Sequence, residues 1–336
     1  MAATIRDVAR RAGVGLGTVS RVLNNSPLVS PVTRERVLDA IAELRYSPSQ
    51  IARSFSSGKT LTVSVIAPFF TRPSVVERLR GIESALHASG YSLVVFNVET
   101  AARRDACLHD VSRHDRSDGV LIISLTPRED EIMLLREAGT PVGLIDTEAE
   151  GMYGVRIDDV YGGELAVRHL LDLGHRRIGF VGDSEAEVQD FNFTSSRHRQ
   201  IGYLKALDAL AITPPPEYQR YGVHGRYEAR LLARELLQLA EPPTAIFAAS
   251  DTQAMGVLEA ARDQQLRVPD DLSVVGFDDI DVAEYLGLTT VYQPLFASGK
   301  RGVEILLCLI AGDLPEPPSE VLPIKLVARG TTAPPA

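Results

Sequence analysis

Apolar residues along the chain follow two rhythms, and the change between them falls near Leu61. Before it the spacing is helical. Ile5, Val8, Ala9 and Ala12 recur on one face, with Thr4 placed to cap the helix and Gly13 to end it. Leu16 to Asn24 predicts a second helix with Val19, Val22 and Leu23 apolar and Thr18, Ser20, Arg21 and Asn24 polar. Ser30-Pro31 opens a third, for which Val37, Leu38, Ile41 and Leu44 are the expected buried stripe. Two short helices a few residues apart make a helix-turn-helix unit. Ser47-Pro48 repeats the cap-plus-proline start and predicts about two helical turns carrying Ile51, Ala52 and Phe55. A helix that short is marginal alone and orders only with external support.

After Leu61 the pattern alternates between buried-strand runs and amphipathic helices. The runs are Thr62-Val-Ser-Val-Ile-Ala, Ser92-Leu-Val-Val-Phe, Gly119-Val-Leu-Ile-Ile, Val142-Gly-Leu-Ile, Ile178-Gly-Phe-Val, Ala245-Ile-Phe-Ala and Ser273-Val-Val-Gly-Phe. Such alternation implies parallel sheets covered on both faces. It pauses near Asp158 and restarts, which predicts two doubly wound lobes with a ligand cleft beyond the strand carboxyl ends. The expected fold is therefore a small all-α helix-turn-helix domain plus an α/β body. We expect the head at residues 1–46, a hinge helix and linker at 47–60, and a ligand-binding and dimerisation body at 61–336. The lobes are expected at about 61–158 and 159–288, with the segment 289–330 crossing between them. Helices at Ser74 to Ala88 and Ala297 to Ile310 offer apolar surface for pairing of two copies.

Charge sharpens this division. The net charge of -9 over 336 residues argues against a nucleic-acid partner, but it is unevenly spread. Residues 1–60 hold nine Lys and Arg against four Asp and Glu, whereas residues 61–336 hold 26 against 40. A basic head on an acidic body suits a head that meets phosphates. Cys107 and Cys308 stand far apart with no C-x-x-C partner, so neither a disulfide framework nor a metal site is expected. No run near Met1 is apolar enough for a signal peptide or membrane span, and a cytoplasmic protein without membrane contact is expected. No P-loop, H-E-x-x-H or G-x-S-x-G pattern occurs, and Gly162-Gly163 lacks a dinucleotide fingerprint. Neither an enzyme nor a cofactor is expected, and the glycine pair reads as close packing at a helix start.

The run Thr4-Ile-Arg-Asp-Val-Ala-Arg-Arg-Ala-Gly-Val, then Thr18-Val-Ser-Arg-Val-Leu-Asn, then Tyr46-Ser-Pro-Ser closely resembles the amino-terminal signature of the LacI/GalR transcriptional repressors. Gly174-His-Arg-Arg-Ile-Gly-Phe-Val-Gly, Arg197-His-Arg-Gln-Ile-Gly-Tyr, Ala248-Ala-Ser-Asp-Thr-Gln-Ala-Met-Gly and Arg267-Val-Pro-Asp-Asp-Leu-Ser-Val-Val-Gly-Phe-Asp-Asp look like that family's body motifs. The resemblance implies a homodimer on a palindromic double-stranded DNA operator, switched by a small effector, a sugar in the first reading. A nucleobase or a phosphoprotein partner is the alternative, and a sugar receptor without DNA function is the competing class.

By the same resemblance Leu16, Gly17 and Arg21 face base edges, and Thr18, Ser20 and Asn24 meet phosphate. Thr4, Ser30, Tyr46 and Arg53 join the DNA-facing set, and Phe55 is the minor-groove wedge. Arg199 and Asp278 align with the main effector contacts, and Asp158, His224 and Ser250 with secondary ones. A guanidinium fork and a carboxylate suit a polyol, although Arg199 and Asp278 also fit a ligand-free ion pair between lobes. Two departures matter. Gly17 has no side chain to read a base, and Arg72-Pro73-Ser74-Val75 replaces an aromatic pair that relatives carry near the first strand, leaving Phe69 and Phe70 as substitutes.

Overall fold

A computed structural model describes residues 3–23, 26–46, 59–111 and 117–336, and these divide into two compact units between Leu61 and Thr62. Asn24 and the predicted hinge helix, with Arg53 and Phe55, lie outside the described residues.

The head holds α1 (Ile5–Ala12), α2 (Leu16–Leu23) and α3 (Pro31–Glu43). Thr4 caps α1 through a reciprocal pair, its Oγ1 accepting from the Asp7 amide while the Asp7 carboxylate accepts from the Thr4 amide. Gly13, at φ 63, closes the helix in the left-handed conformation that glycine adopts without penalty. Ser30 caps α3, and Arg34 donates to the Ser26 carbonyl at 2.6 Å just beyond the end of α2. Val8, Ala12, Val19, Val22, Val37 and Ala40 form the core. Leu38 does not join it and is 51% exposed. Positions 37, 40, 41 and 44 share one helical face, and position 38 is turned about 100° away from 37.

The body contains two six-stranded sheets. The first lobe is built from β1 (Thr62–Pro68), α4 (Pro73–Ser89), β2 (Ser92–Val98), α5 (Ala101–Val111), β3 (Gly119–Ile123), α6 (Glu129–Glu137), β4 (Val142–Ile145) and β5 (Tyr153–Arg156). The chain then enters the second lobe through α7 (Asp159–Asp172), β6 (Ile178–Asp183), α8 (Glu185–Phe191), α9 (Ser195–Asp208), β7 (Gln219–Gly222), α10 (Arg226–Leu237), β8 (Ala245–Ala248), α11 (Asp251–Asp263), β9 (Ser273–Asp278), α12 (Asp281–Tyr285) and β10 (Thr289–Tyr292). It returns as α13 (Leu295–Ala311), packed on α4, and β11 (Ser319–Val321), paired with β5; β12 (Lys325–Val327) then pairs antiparallel with β10. The order β2-β1-β3-β4-β5 in the first sheet is repeated by β7-β6-β8-β9-β10 in the second, all parallel. The second sheet thus keeps Thr289–Tyr292, and the crossing back begins at Gln293.

Parallel strands place all their carboxyl ends on one side, so the loops that can face a ligand cluster there. Their backbone is held in left-handed conformations at non-glycine residues: Phe69 after β1 (φ 43), Ser124 after β3 (φ 56), Asp146 after β4 (φ 65) and Asp278 ending β9 (φ 118). Such conformations cost about 1–3 kcal/mol each and concentrate at functional sites.

Gly162-Gly163 is close packing. A Cβ at Gly163 would stand 2.2 Å from the Arg199 carbonyl oxygen, and one at Gly162 would meet the Phe277 ring at 2.6 Å. Gly163 thereby sets the approach of α7 to α9. Gly163→Ala is expected to force the two helices apart and destabilise the body by about 1–3 kcal/mol, moving Arg199 with α9; a urea-unfolding midpoint equal to the parent's would contradict the close approach.

Candidate functional site

Between the lobes lies a cleft lined from the first by Arg72, Ser74, Arg78, Ser124 and Asp146, and from the second by Asp183, Phe193, Arg199, His224, Ser250, Gln253 and Asp278. Arg199 is nearly enclosed. Its Nε donates to Asp159 Oδ1 at 2.8 Å, its Nη1 donates to the Ala249 carbonyl at 2.7 Å and stands 3.4 Å from Asp278 Oδ1, and the Phe277 ring lies 3.6 Å below the guanidinium. Gln293 Nε2 donates to Asp278 Oδ1 at 2.5 Å, while Gln293 Oε1 accepts from Arg78 at 2.9 Å. Arg78 in turn pairs with Asp146 at 2.6 Å, and Ser124 donates to the other Asp146 oxygen at 2.7 Å. One chain of polar contacts therefore runs Asp146, Arg78, Gln293, Asp278, Arg199, Asp159. Gln293, on the crossing segment, joins the two lobes with a donor at one end and an acceptor at the other.

The charges perturb one another. Burial pushes the Asp159 carboxyl up to about 6 against the pull of Arg199. Burial likewise raises Asp278 despite Arg199 and Arg78. At Asp183 burial acts upward too, but the His224 ring, whose Nδ1 lies 3.0 Å from Asp183 Oδ1, and the nearby arginines outweigh it and hold the group below the usual carboxylate value. Behind the cleft, Asp251 is fully buried, accepts from Thr290 Oγ1 at 2.6 Å and from the Ile280 amide at 2.9 Å, and is pushed up to about 8 by burial and then by the charge of Asp278. The folded chain keeps this proton up to about pH 8, whereas the unfolded chain releases it near 3.8. The folded state binds more protons throughout that window, so this group makes stability fall as pH rises. Asp251→Asn, which preserves a neutral side chain, is expected to flatten the fall between pH 6 and 9; heat-unfolding midpoints against pH that keep the parent's slope would refute it.

Several expectations need correcting. Asp158 is exposed and caps α7, accepting from the Tyr161 amide; its neighbour Asp159 is the residue turned toward Arg199. The first residue after a cap begins the helix about 100° further round, so adjacent carboxylates face different ways. Phe70 is 43% exposed and lines an outer groove with Val76, Leu79 and Phe296; Phe69 takes the inward position against Phe191 and Phe193. Arg199 and Asp278 both belong to the second lobe, so their ion pair is not inter-lobe. His224 and Ser250 do line the cleft, with Ser250 also capping α11. Arg78, Asp146, Gln253 and Gln293 went unrecognised in the sequence. His175, buried and bonded to Thr244, Ser273 and the Ala333 carbonyl, holds the carboxyl-terminal segment.

In the head, Leu16, Gly17 and Arg21 are exposed on α2, and a Cβ at Gly17 would meet nothing within 4 Å. The Arg21 guanidinium makes no hydrogen bond or ion pair with a described residue. Thr18 and Ser20 are half-buried on the same helix, and the exposed Thr4 and Ser30 spend their hydroxyls on caps. Tyr46, expected at DNA, instead packs into the head core, where the turn after α3 folds it inward through its amide bond to the Ile41 carbonyl.

A basic helix-turn-helix head and a two-lobed body with a polar cleft define a ligand-responsive DNA-binding regulator. Residues 4–49 match the profile of bacterial regulatory proteins of the lacI family, and residues 167–332 that of the periplasmic binding protein-like domain. The HTH-type transcriptional repressor PurR of Haemophilus influenzae (strain PittEE) is 33% identical over 91% of this chain and 90% of its own length. PurR of Photobacterium profundum is 34% identical over 91% of each. Among solved structures, the Lac repressor dimer bound to operator and the anti-inducer ONPF superposes with a TM-score of 0.87 at 29% identity, covering 99% of this chain and 100% of that one. The CelR-cellobiose complex gives 0.72 at 32%, covering 98% and 99%. The chain belongs to the LacI family and is a DNA-binding transcriptional repressor with an effector-binding domain, as the PurR and Lac relatives are repressors and not enzymes. Among the described residues no helix is long and apolar enough to cross a membrane.

Proposed function

We propose that two copies of this chain repress transcription from a palindromic operator and that a small carbohydrate in the inter-lobe cleft switches their affinity for it. The observation that carries the effector assignment is the cleft's lining: guanidinium, carboxylate, hydroxyl and amide groups from both lobes converge on it, with Phe193 as its one phenyl ring among the described residues. A polyol, each hydroxyl both donor and acceptor, matches such a wall, whereas a flat base would want apolar faces above and below. The CelR relative was solved with cellobiose and a LacI-family regulator from Enterococcus faecium with ribose, which favours the same class.

The cleft leaves about 60 Å³ for the centres of water-sized molecules, room for roughly four waters. A sugar ring must therefore displace side chains or part the lobes, and lobe movement is the route by which the cleft would act on the heads. Dimerisation uses the outer groove of the first lobe, where Phe70, Val76, Val95 and Phe296 are exposed beside α4 and α13. Two heads on a two-fold axis match two half-sites. Selection of bound duplexes from a random library with the full-length chain is expected to return a palindrome. Calorimetry against ribose, glucose, cellobiose, adenine and hypoxanthine is expected to give heat with a carbohydrate. Binding of a base alone would replace the sugar by the nucleobase, and the absence of any selected duplex would remove the operator.

A further inference from the structure

Between β6 and α9 the second lobe carries residues 184–194, a stretch polar but for Ala186, Val188 and the two rings of Phe191-Asn192-Phe193. Those two rings join buried residues of the first lobe. Both are only 5% exposed and lie in the apolar cluster of the first, with Ile66, Val98, Leu108 and Leu125. They stack on each other at 5.2 Å, and Phe69, in the left-handed turn after β1, meets Phe191 edge-on at 5.2 Å. Between them Asn192, at φ 55, turns its Nδ2 to the Thr126 carbonyl of the first lobe at 3.0 Å. That acceptor is held in place. Arg104, with no exposed surface, donates to the same carbonyl at 3.0 Å while gripping the Glu131 carboxylate with both terminal nitrogens.

We propose that Phe191-Asn192-Phe193 is a clasp that holds the lobes shut at the mouth of the cleft and, on closing, delivers Phe193 as the ring that an effector packs against. Phe193 is both a clasp residue and part of the cleft wall, and Arg72, also in that wall, lies over the Phe69 ring at 4.0 Å and 5.7 Å from the centre of the Phe193 ring. The lobes are joined by the three covalent crossings and the Gln293 bridge; the clasp ties them through a separate set of contacts made by one short segment. Two phenyl rings and one amide bond are few enough contacts to open without unfolding either lobe. Opening uncovers the cleft, and closing traps what has entered, so the fit of Phe193 over the ligand contributes to which ligand is retained. The ligand-contact role of Phe193 rests on the effector reading of the cleft; the clasp itself does not.

The chain has no tryptophan, so full-length Phe191→Trp carries a single reporter. Its emission is expected to be blue-shifted and its acrylamide quenching several-fold weaker than that of free tryptophan. Adding Phe69→Ala is expected to raise the quenching several-fold while the far-ultraviolet circular dichroism stays the same. Hydrogen exchange on the unmodified chain is expected to show the Asn192 and Phe193 amides about 100-fold less protected than those of β3. A fully exposed indole in the ligand-free protein would overturn the clasp, as would equal protection of the segment and β3, which would make it a fixed part of the first lobe's core. Neither readout involves DNA or a sugar, so failure here is separable from failure of the repressor reading.

Discussion

Replacing Arg199 by Met is expected to cost the body about 3–5 kcal/mol near pH 7.5, the range found when one partner of a buried ion pair is removed. The guanidinium sits between two enclosed carboxylates, Asp159 and Asp278, and also satisfies the Ala249 carbonyl. Methionine fills similar space over the Phe277 ring but leaves both acids without their nearest cation. Burial already raises both groups, Asp159 to about 6 with Arg199 present; without it they rise further. A buried acid whose folded pKa exceeds its unfolded value favours the folded state as pH falls through the folded value. The deficit of Arg199→Met relative to the parent should therefore shrink between pH 7.5 and pH 5. Urea unfolding at several pH values measures it, and a pH-independent deficit would mean that lost packing, not stranded charge, is the cause. The same variant should no longer respond to any effector that changes the parent's affinity for DNA.

The elements legible in the sequence are those with a continuous apolar run or a regular helical stripe, although such a run does not guarantee burial: in Ser92–Val98, expected to be enclosed, Val94 and Val95 are 43% and 38% exposed on an edge strand. Gly119 to Ile123 is enclosed at every position and was readable as a strand from its composition alone. Tyr153–Arg156, Gln219–Gly222 and Ser319–Val321 are short, partly exposed and lack an apolar run, so their pairing is decided by the neighbouring strand and not by their own residues. In the site, Arg199 and Asp278 were found by resemblance to a family pattern. Gln293 and Arg78 are 215 positions apart and meet only because α13 returns the chain to the first lobe; nothing local to either residue announces the contact. Phe69 and Phe70 are indistinguishable by type, and a left-handed turn at Phe69 decides which of them looks inward. The clasp left a local trace, two phenylalanines in a polar stretch, but the pocket that buries them belongs to the other lobe.

Arg21→Ala is expected to abolish operator binding at concentrations where the parent saturates it, with folding unchanged. The guanidinium is exposed and makes no bond within the described head, so its loss removes no structural contact; arginine and alanine are both strong helix formers, and α2 keeps Val19 and Val22 in the core. One arginine forked onto guanine contributes about 1–3 kcal/mol of discrimination. A dimer uses it twice, so the full operator loses roughly 2–6 kcal/mol, from about thirtyfold to beyond ten-thousand-fold in affinity. Salt dependence separates the two ways Arg21 can act. A phosphate contact would lower the slope of log affinity against log salt by about one per head and weaken all sequences alike; a base contact weakens the chosen operator far more than random duplex. Because Gly17 has no side chain to read a base and the space beside it is open, base reading by this helix would fall the more heavily on Arg21. We therefore expect the loss to be concentrated at one base pair in each half-site, where selection with the Arg21→Ala chain should show preference flattened and the rest of the palindrome retained. An operator affinity equal to the parent's in a mobility-shift titration would remove Arg21 from the interface.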